Sequence, residues 1–222
     1  MELLRKSRYL QLAFNGDSSE VARLLPRIPR DPRIIIEAGT PYIKREGDRA
    51  IKYVRSLWDG YVVADIKTMD GAAEEVAEAA EAGANGATVL GSAPTETLDL
   101  FISSCTDSGM DAFIDMIGVE DPLRVLMRLK KPPRVIVLHR GRDEESTRDK
   151  VIKYAHIKRV RSKFDVLVSA AGGIDLRQAQ SASFNGANIV TVNIVKPDDP
   201  FEGISSDDRI EKLAVDFLNG ID

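Results

Sequence analysis

The segment "VVADIKTMDG" (62–71) sets Asp65, Lys67 and Asp70 within six residues, directly after the apolar run Val62, Val63 and Ala64. Three charges at the end of a hydrophobic run are costly to bury unless they pair with one another or meet a ligand. In an extended chain, residues two apart share a face, so Asp65 and Lys67 point the same way. A lysine flanked by carboxylates stays charged and fixed, able to hydrogen-bond a developing oxyanion. The plainer alternative is an ion-pair network that only closes the end of a fold.

Other polar residues end similar runs. Asn15 follows "YLQLAF", Glu37 ends "RIIIE", Asp115 lies in "AFIDMIG", His139 and Arg140 follow "VIVL", and Gly172 and Gly173 follow "VSAA". Glu37 and Asp65, on successive runs, could both reach a hard divalent cation, since two carboxylates with substrate oxygens and water are an ordinary Mg²⁺ environment. For Glu37, capping of the next turn is the competing reading. His139 is placed for proton transfer near neutral pH, against the reading of a satisfied histidine at a rim. Gly172 and Gly173 offer backbone N–H groups to a phosphate, or simply a tight turn. His156, in "KYAHIKRVR", belongs to a solvated helix face.

These residues need a scaffold that gathers strand ends. Eight short, nearly continuous apolar runs recur: 9–14, 33–39, 61–67, 87–91, 112–118, 134–139, 165–173 and 188–193. Such runs fit strands buried on both faces. Helical spacing falls at 72–83, 94–109, 121–132, 146–164 and 206–220, with glycine or a basic last turn at several ends. The one long polar loop is 196–208. Alternating strands and helices over 222 residues predict an α/β fold, a (β/α)₈ TIM barrel forming a single domain over 1–222. In such a barrel, sites form at the C-terminal strand ends, where the residues above collect. No GxGxxG follows the first strand, which disfavours a dinucleotide fold. The echo of "GANGATV" (83–89) in "GANIVTV" (186–192) is either a repeated βα unit or a common turn solution.

Composition narrows the classes further. The chain is 43% hydrophobic and 30% charged, with a net charge of -4. That charge disfavours nucleic acid as a partner, and no apolar run is long enough to span a membrane. The N-terminus lacks an apolar leader segment. The single cysteine, Cys105, reads as a buried structural thiol. A reducing cytoplasm is the expected setting.

"VVADIKTMDGAAEEVAEAAEAGANGATVLGSA", with "EAGTP", "IDMIGVEDP", "VLHRGRDEE" and "AAGGI", resembles the 3-hexulose-6-phosphate synthase family. That family lies within the orotidine 5′-monophosphate decarboxylase suprafamily, marked by Asp-x-Lys-x-x-Asp at strand three, and the resemblance runs over roughly residues 9–192. It implies a (β/α)₈ homodimer with shared active sites. It also implies a Mg²⁺-dependent aldolase that interconverts D-arabino-hex-3-ulose 6-phosphate with ribulose 5-phosphate and formaldehyde. By the same resemblance Glu37 and Asp65 hold Mg²⁺, Lys67 binds the ene-diolate oxyanion, and His139 transfers a proton. Asp70 reaches into the partner's site, and Gly172 and Gly173 bind phosphate. Two positions depart from the family pattern. Asn15 stands where aspartate is usual, and Asn193, in "TVNIVKPDDP", stands where a glycine-bearing phosphate loop is usual; both are expected at the substrate. A divergent suprafamily member, such as a β-keto acid phosphosugar decarboxylase, and a non-catalytic binding barrel are the alternatives.

Overall fold

A computed structural model describes residues 2–145, 147, 151–207 and 209–222. Strands β1 (Tyr9–Phe14), β2 (Ile34–Ala38), β3 (Tyr61–Thr68), β4 (Gly86–Leu90), β5 (Asp111–Asp115), β6 (Val135–His139), β7 (Leu167–Ala171) and β8 (Ile189–Val195) pair in sequence order, all parallel. Pairing of β1 with β8 closes the sheet. The predicted single-domain (β/α)₈ barrel is what forms, and all eight strands fall on the predicted runs.

Helices α1 (Ser18–Leu24), α2 (Thr40–Glu46), α3 (Asp48–Leu57), α4 (Ala72–Glu81), α5 (Thr95–Asp107), α6 (Pro122–Leu126), α7 (Ala155–Arg161), α8 (Leu176–Phe184) and α9 (Ile210–Gly220) surround it. Four of them, α1, α2, α3 and α8, had no counterpart among the expected helices. The helix expected over 146–164 is much shorter. Residues 146 and 148–150 lie outside the described residues, and 151–153 are not helical. Ile157 and Val160 are the buried positions of α7, with Tyr154 packed against the core one step upstream. Upstream, Val151 and Ile152 continue the apolar pattern, but Ile152 packs against the core from non-helical backbone while Val151 is exposed. The expected polar loop at 196–208 contains a short strand, β9 (Ile204–Ser205), paired parallel to β8, and α9 begins four residues later than expected.

Apolar packing occupies two layers. Leu10, Phe14, Trp58, Val62 and Phe101 lie between sheet and helices. Inside the barrel Leu3, Tyr9, Tyr61, Phe113, Val135, Leu167 and Ile189 fill the N-terminal end. Further up, the inward residues of seven strands turn polar: Gln11, Glu37, Asp65, Thr88, Asp115, Ser169 and Thr191 are all buried, while β6 keeps Val137. The apolar plug thus forms a floor under a polar layer. Cys105 is buried on α5, as expected, and its thiol is pushed up to about 12 by burial and then by Asp111.

The Gly-Ala-Asn echo is a repeated structural device at that floor. Gly83 and Gly186 end α4 and α8 with φ of 92° and 99°, a left-handed turn that favours glycine. The following asparagines then clamp the start of a neighbouring strand. Asn85 donates its backbone N–H to Val62 O at 2.7 Å, and its Oδ1 accepts from Val62 N at 2.9 Å and from Arg55 at 2.6 Å. Asn188 repeats this on Val168, at 2.7 and 3.2 Å, and its Oδ1 also accepts from Arg161. The two Asn-Arg clamps sit at opposite sides of the barrel and fix where β3 and β7 begin.

Asn188 is fully buried. Replacing it with alanine strands the Val168 N–H and the Arg161 guanidinium, at a cost of about 1–3 kcal/mol. Urea unfolding of Asn188→Ala should show that loss as a lower midpoint; an unchanged midpoint would refute the clamp.

Candidate active site

The polar layer opens into a cavity of about 280 Å³ at the C-terminal end of the barrel, floored by Gln11, Glu37, Asp65, Lys67, Asp115 and His139. β3 supplies the central pair through an irregularity rather than plain alternation. Ala64 pairs with Ala87 and Thr68 with Val89, so four steps on β3 face two on β4. Within that bulge Lys67 adopts φ 49°, the one non-glycine residue with positive φ among the described residues, a conformation costing about 1–2 kcal/mol. Its N–H donates to Thr88 Oγ1 at 2.9 Å, which helps hold it there. Bulges of this kind re-aim side chains beside active sites.

The ammonium of Lys67 donates to Asp65 Oδ1 at 3.0 Å and to Asp115 Oδ2 at 2.6 Å. Asp115 also meets His139 Nδ1, at 2.8 Å from Oδ2 and 3.0 Å from Oδ1, and accepts from Ile117 N at 3.0 Å. Asp65 accepts from Thr88 Oγ1 at 2.8 Å, and Thr40 Oγ1 lies 2.7 Å from its Oδ2. A continuous chain of charge results, Asp65–Lys67–Asp115–His139, drawn from β3, β5 and β6. Its protonation states follow from burial and charge. Burial alone would discharge Lys67, but Asp65 and Asp115 hold its ammonium above the usual lysine range. Burial would raise Asp115, yet His139 and Lys67 keep its carboxyl well below the usual range. His139 is pushed down by burial and, more strongly, up by Asp115, so it holds its proton to higher pH than a free imidazole.

Glu37 behaves differently. Burial first, and Asp65 second, push its carboxyl up to about 8. It accepts from Gln11 Nε2, while Gln11 Oε1 is buried without a protein partner. Two neighbouring carboxylates, one of them short of positive charge, and an orphaned amide oxygen make an all-oxygen donor set. Among the described residues no three His, Cys, Asp or Glu side chains converge as a ready metal cage. A hard cation that keeps several water ligands fits that arrangement; a thiolate- or imidazole-preferring metal does not.

Of the other residues expected at the site, Asn15 and Asn193 both line the cavity and bond to each other, Nδ2 of Asn15 donating to Oδ1 of Asn193 at 3.0 Å. They stitch the ends of β1 and β8. Gly172 lines the cavity with φ 101°, and a Cβ there would lie 1.9 Å from Arg140 O, so only glycine fits. Gly173 sits behind it, its carbonyl accepting from Arg140 at 2.9 Å. Asp70 stands apart, exposed beyond the end of β3. Asp115, noted at a strand end but assigned no role from sequence, is the link between Lys67 and His139. Gln11, Thr40, Thr88 and Arg142 also line the cavity unforeseen. Gln11 carried a usable signal: a lone amide in an apolar strand, two residues from the inward-facing Tyr9.

Comparison with known proteins places the chain in a family. Over 215 residues the chain is 36% identical to the bifunctional enzyme Fae/Hps of Methanosarcina barkeri, covering 96% of the chain and 52% of that protein. It is 38% identical over 173 residues to the Methanocaldococcus jannaschii protein of the same name, covering 78% of the chain and 44% of that protein. The chain thus spans about half the length of the curated relatives it matches. The 3-hexulose-6-phosphate synthase structure from Salmonella typhimurium superposes with a TM-score of 0.83 at 25% identity, covering 96% of this chain and 98% of that one. A KGPDC structure from Streptococcus mutans, at 18% identity and a TM-score of 0.77 over 96% of this chain and 97% of that one, shares the fold. The family model for orotidine 5′-phosphate decarboxylase / HUMPS matches residues 8–202. The chain therefore belongs to the orotidine 5′-phosphate decarboxylase / HUMPS family.

Proposed function

We propose that the chain is a Mg²⁺-dependent phosphosugar aldolase, a carbon–carbon lyase that interconverts D-arabino-hex-3-ulose 6-phosphate with ribulose 5-phosphate and formaldehyde. The observation that carries this reading is the Lys67 ammonium held between Asp65 and Asp115, with His139 on the far side of Asp115. Similarity to the Salmonella typhimurium 3-hexulose-6-phosphate synthase supports the choice of substrate.

In the condensing direction a proton leaves C1 of ribulose 5-phosphate, the resulting ene-diolate attacks formaldehyde, and the new alkoxide takes up a proton. Lys67 is a fixed donor for the oxyanion, because both carboxylates hold its charge and position before substrate arrives. His139 has Nδ1 engaged by Asp115, so a proton exchanged with substrate moves through Nε2. Asp115 orients that ring and steadies its charged form. Glu37 and Asp65 are the residues that would hold Mg²⁺, whose charge would favour the ene-diolate. Asn15 and Asn193 present neutral amides to the sugar hydroxyls. Asp70, exposed at the rim, is available to a second subunit's site in a homodimer. No helix among the described residues is long and apolar enough to cross a membrane, and a cytoplasmic setting is part of the proposal.

Lys67→Ala should lower kcat/KM for ribulose 5-phosphate with formaldehyde by about 10²–10³-fold or more, as loss of a preorganised oxyanion donor does. EDTA should abolish turnover and Mg²⁺ restore it. A wild-type chain inactive on both substrates with Mg²⁺ present would refute the aldolase reading.

The Glu37 carboxyl yields a pH prediction. Its pKa is about 8 in the fold and about 4.3 in an unfolded chain. Between those values the folded chain keeps a proton that the unfolded chain has released, so this group's contribution to stability falls as pH rises across the window. Mg²⁺ needs the ionised form. Added Mg²⁺ should therefore raise the melting temperature more at pH 8 than at pH 5, and Glu37→Gln should erase that difference. Equal Mg²⁺ shifts at both pH values would exclude Glu37 as a ligand.

A further inference from the structure

A phosphosugar needs an anion site at the barrel mouth, built from backbone amides or from a cation. At the end of β8 the chain itself occupies that space. β8 continues through Ile194 and Val195, which pair with Ile204 and Ser205 of β9. Gly203 packs so closely that a Cβ on it would lie 2.3 Å from Asn193 O. The strand end is roofed by its own return, not open as an amide cradle.

Cations near the cavity are mostly committed elsewhere. Lys67 serves two carboxylates. Arg45 donates to the carbonyls of Asn15, Gly16 and Pro41 at 3.0–3.2 Å, Arg23 donates to Ser206 O at 3.0 Å, and Arg140 donates to Gly173 O. Arg142 differs. Its guanidinium lies over the Phe201 ring at 4.1 Å from the centroid, and its Nη2 is 3.8 Å from Asp199 Oδ2, beyond hydrogen-bond range. It lines the catalytic cavity and also a neighbouring cleft of about 390 Å³ that contains Lys196.

We infer that Arg142 takes the substrate's phosphate, held ready by Phe201 and Asp199 of the β8–β9 loop, in place of a backbone cradle at the end of β8; this rests on the phosphosugar reading above. Stacking on Phe201 fixes the plane of the guanidinium fork without using its N–H donors, which leaves them for a bidentate contact with phosphate. Asp199 is close enough to attract the fork but too far to satisfy it, so an arriving dianion competes successfully. The β8–β9 loop therefore both closes the amide site and supplies the positioning residues for its replacement.

Calorimetric titration with ribulose 5-phosphate, inorganic phosphate and unphosphorylated ribulose tests this on the whole chain. Arg142→Ala should weaken ribulose 5-phosphate and phosphate by about 10- to 100-fold, the scale of hydrogen bonds to a charged group, and leave ribulose unaffected. In turnover the loss should fall mainly on KM. Arg142→Lys should recover part of the affinity, keeping charge without the fork, and Phe201→Leu should weaken phosphate less than Arg142→Ala does. If Arg142→Ala fails to fold by circular dichroism, Arg142→Lys and Phe201→Leu decide, and wild-type affinity in both overturns the inference. Wild-type turnover with undiminished phosphate affinity in Arg142→Ala overturns it while the aldolase reading stands. Phosphate binding lost in Arg142→Ala, in a chain that never turns over, upholds it while the aldolase reading falls. A wild-type chain that binds neither ribulose 5-phosphate nor phosphate overturns the inference.

Discussion

Burying Asp65 and Asp115 in one barrel mouth is possible only because the Lys67 ammonium lies between them. Isolated buried carboxylates would take up protons or unfold the site. Here each carboxylate meets the same cation, and each has further donors: Thr88 on Asp65, Ile117 N–H and His139 on Asp115. Removing the lysine would take from both buried carboxylates the cation they share, so the polar layer is a unit and not a sum of pairs. The left-handed backbone at Lys67 follows from this constraint. The β3 bulge is strained, and the two ion pairs with the Thr88 bond are what hold it.

Glu37 is the part of the layer that the lysine does not satisfy. Its high pKa and the orphaned Gln11 oxygen mark a place where positive charge is missing, close to the charged chain but outside it. A site with a permanently held cation on one side and a cation-hungry pair on the other separates two tasks. Lys67 offers fixed hydrogen bonds, and the Glu37–Asp65 side is where the proposed Mg²⁺ would be held. The inert floor beneath, built of Tyr9, Tyr61 and Phe113 and pinned by the Asn85 and Asn188 clamps, keeps both from shifting.

At the opposite end of the barrel from that floor, the loops diverge from simple rules. The β8–β9 return covers a strand end, and the Asn15–Asn193 bond ties the first and last strands where the barrel closes. Neither side chain carries charge. Within the buried polar layer the ionisable side chains lie on β2, β3 and β5, and β1 and β8 contribute the neutral Gln11 and Thr191.

By itself the sequence determined the eight strands, because strands buried on both faces are continuous apolar runs that no surface helix imitates. It also determined the rim positions of Glu37, Asp65, Lys67 and His139, since each ends such a run. Helix lengths were less legible. The stretch before Ile157 has helical composition, yet Ile152 reaches the core from non-helical backbone, and α1, α2 and α3 are short amphipathic segments whose signal is weak without the barrel they cover. Only the tertiary structure could decide that Asp115 joins Lys67 to His139, because that contact spans 48 and 24 residues of chain. The positive φ of Lys67, the roofing of β8 by β9 and the stacking of Arg142 on Phe201 were likewise settled in three dimensions. Each depends on which residues the closed barrel brings side by side, and local periodicity carries no information about that.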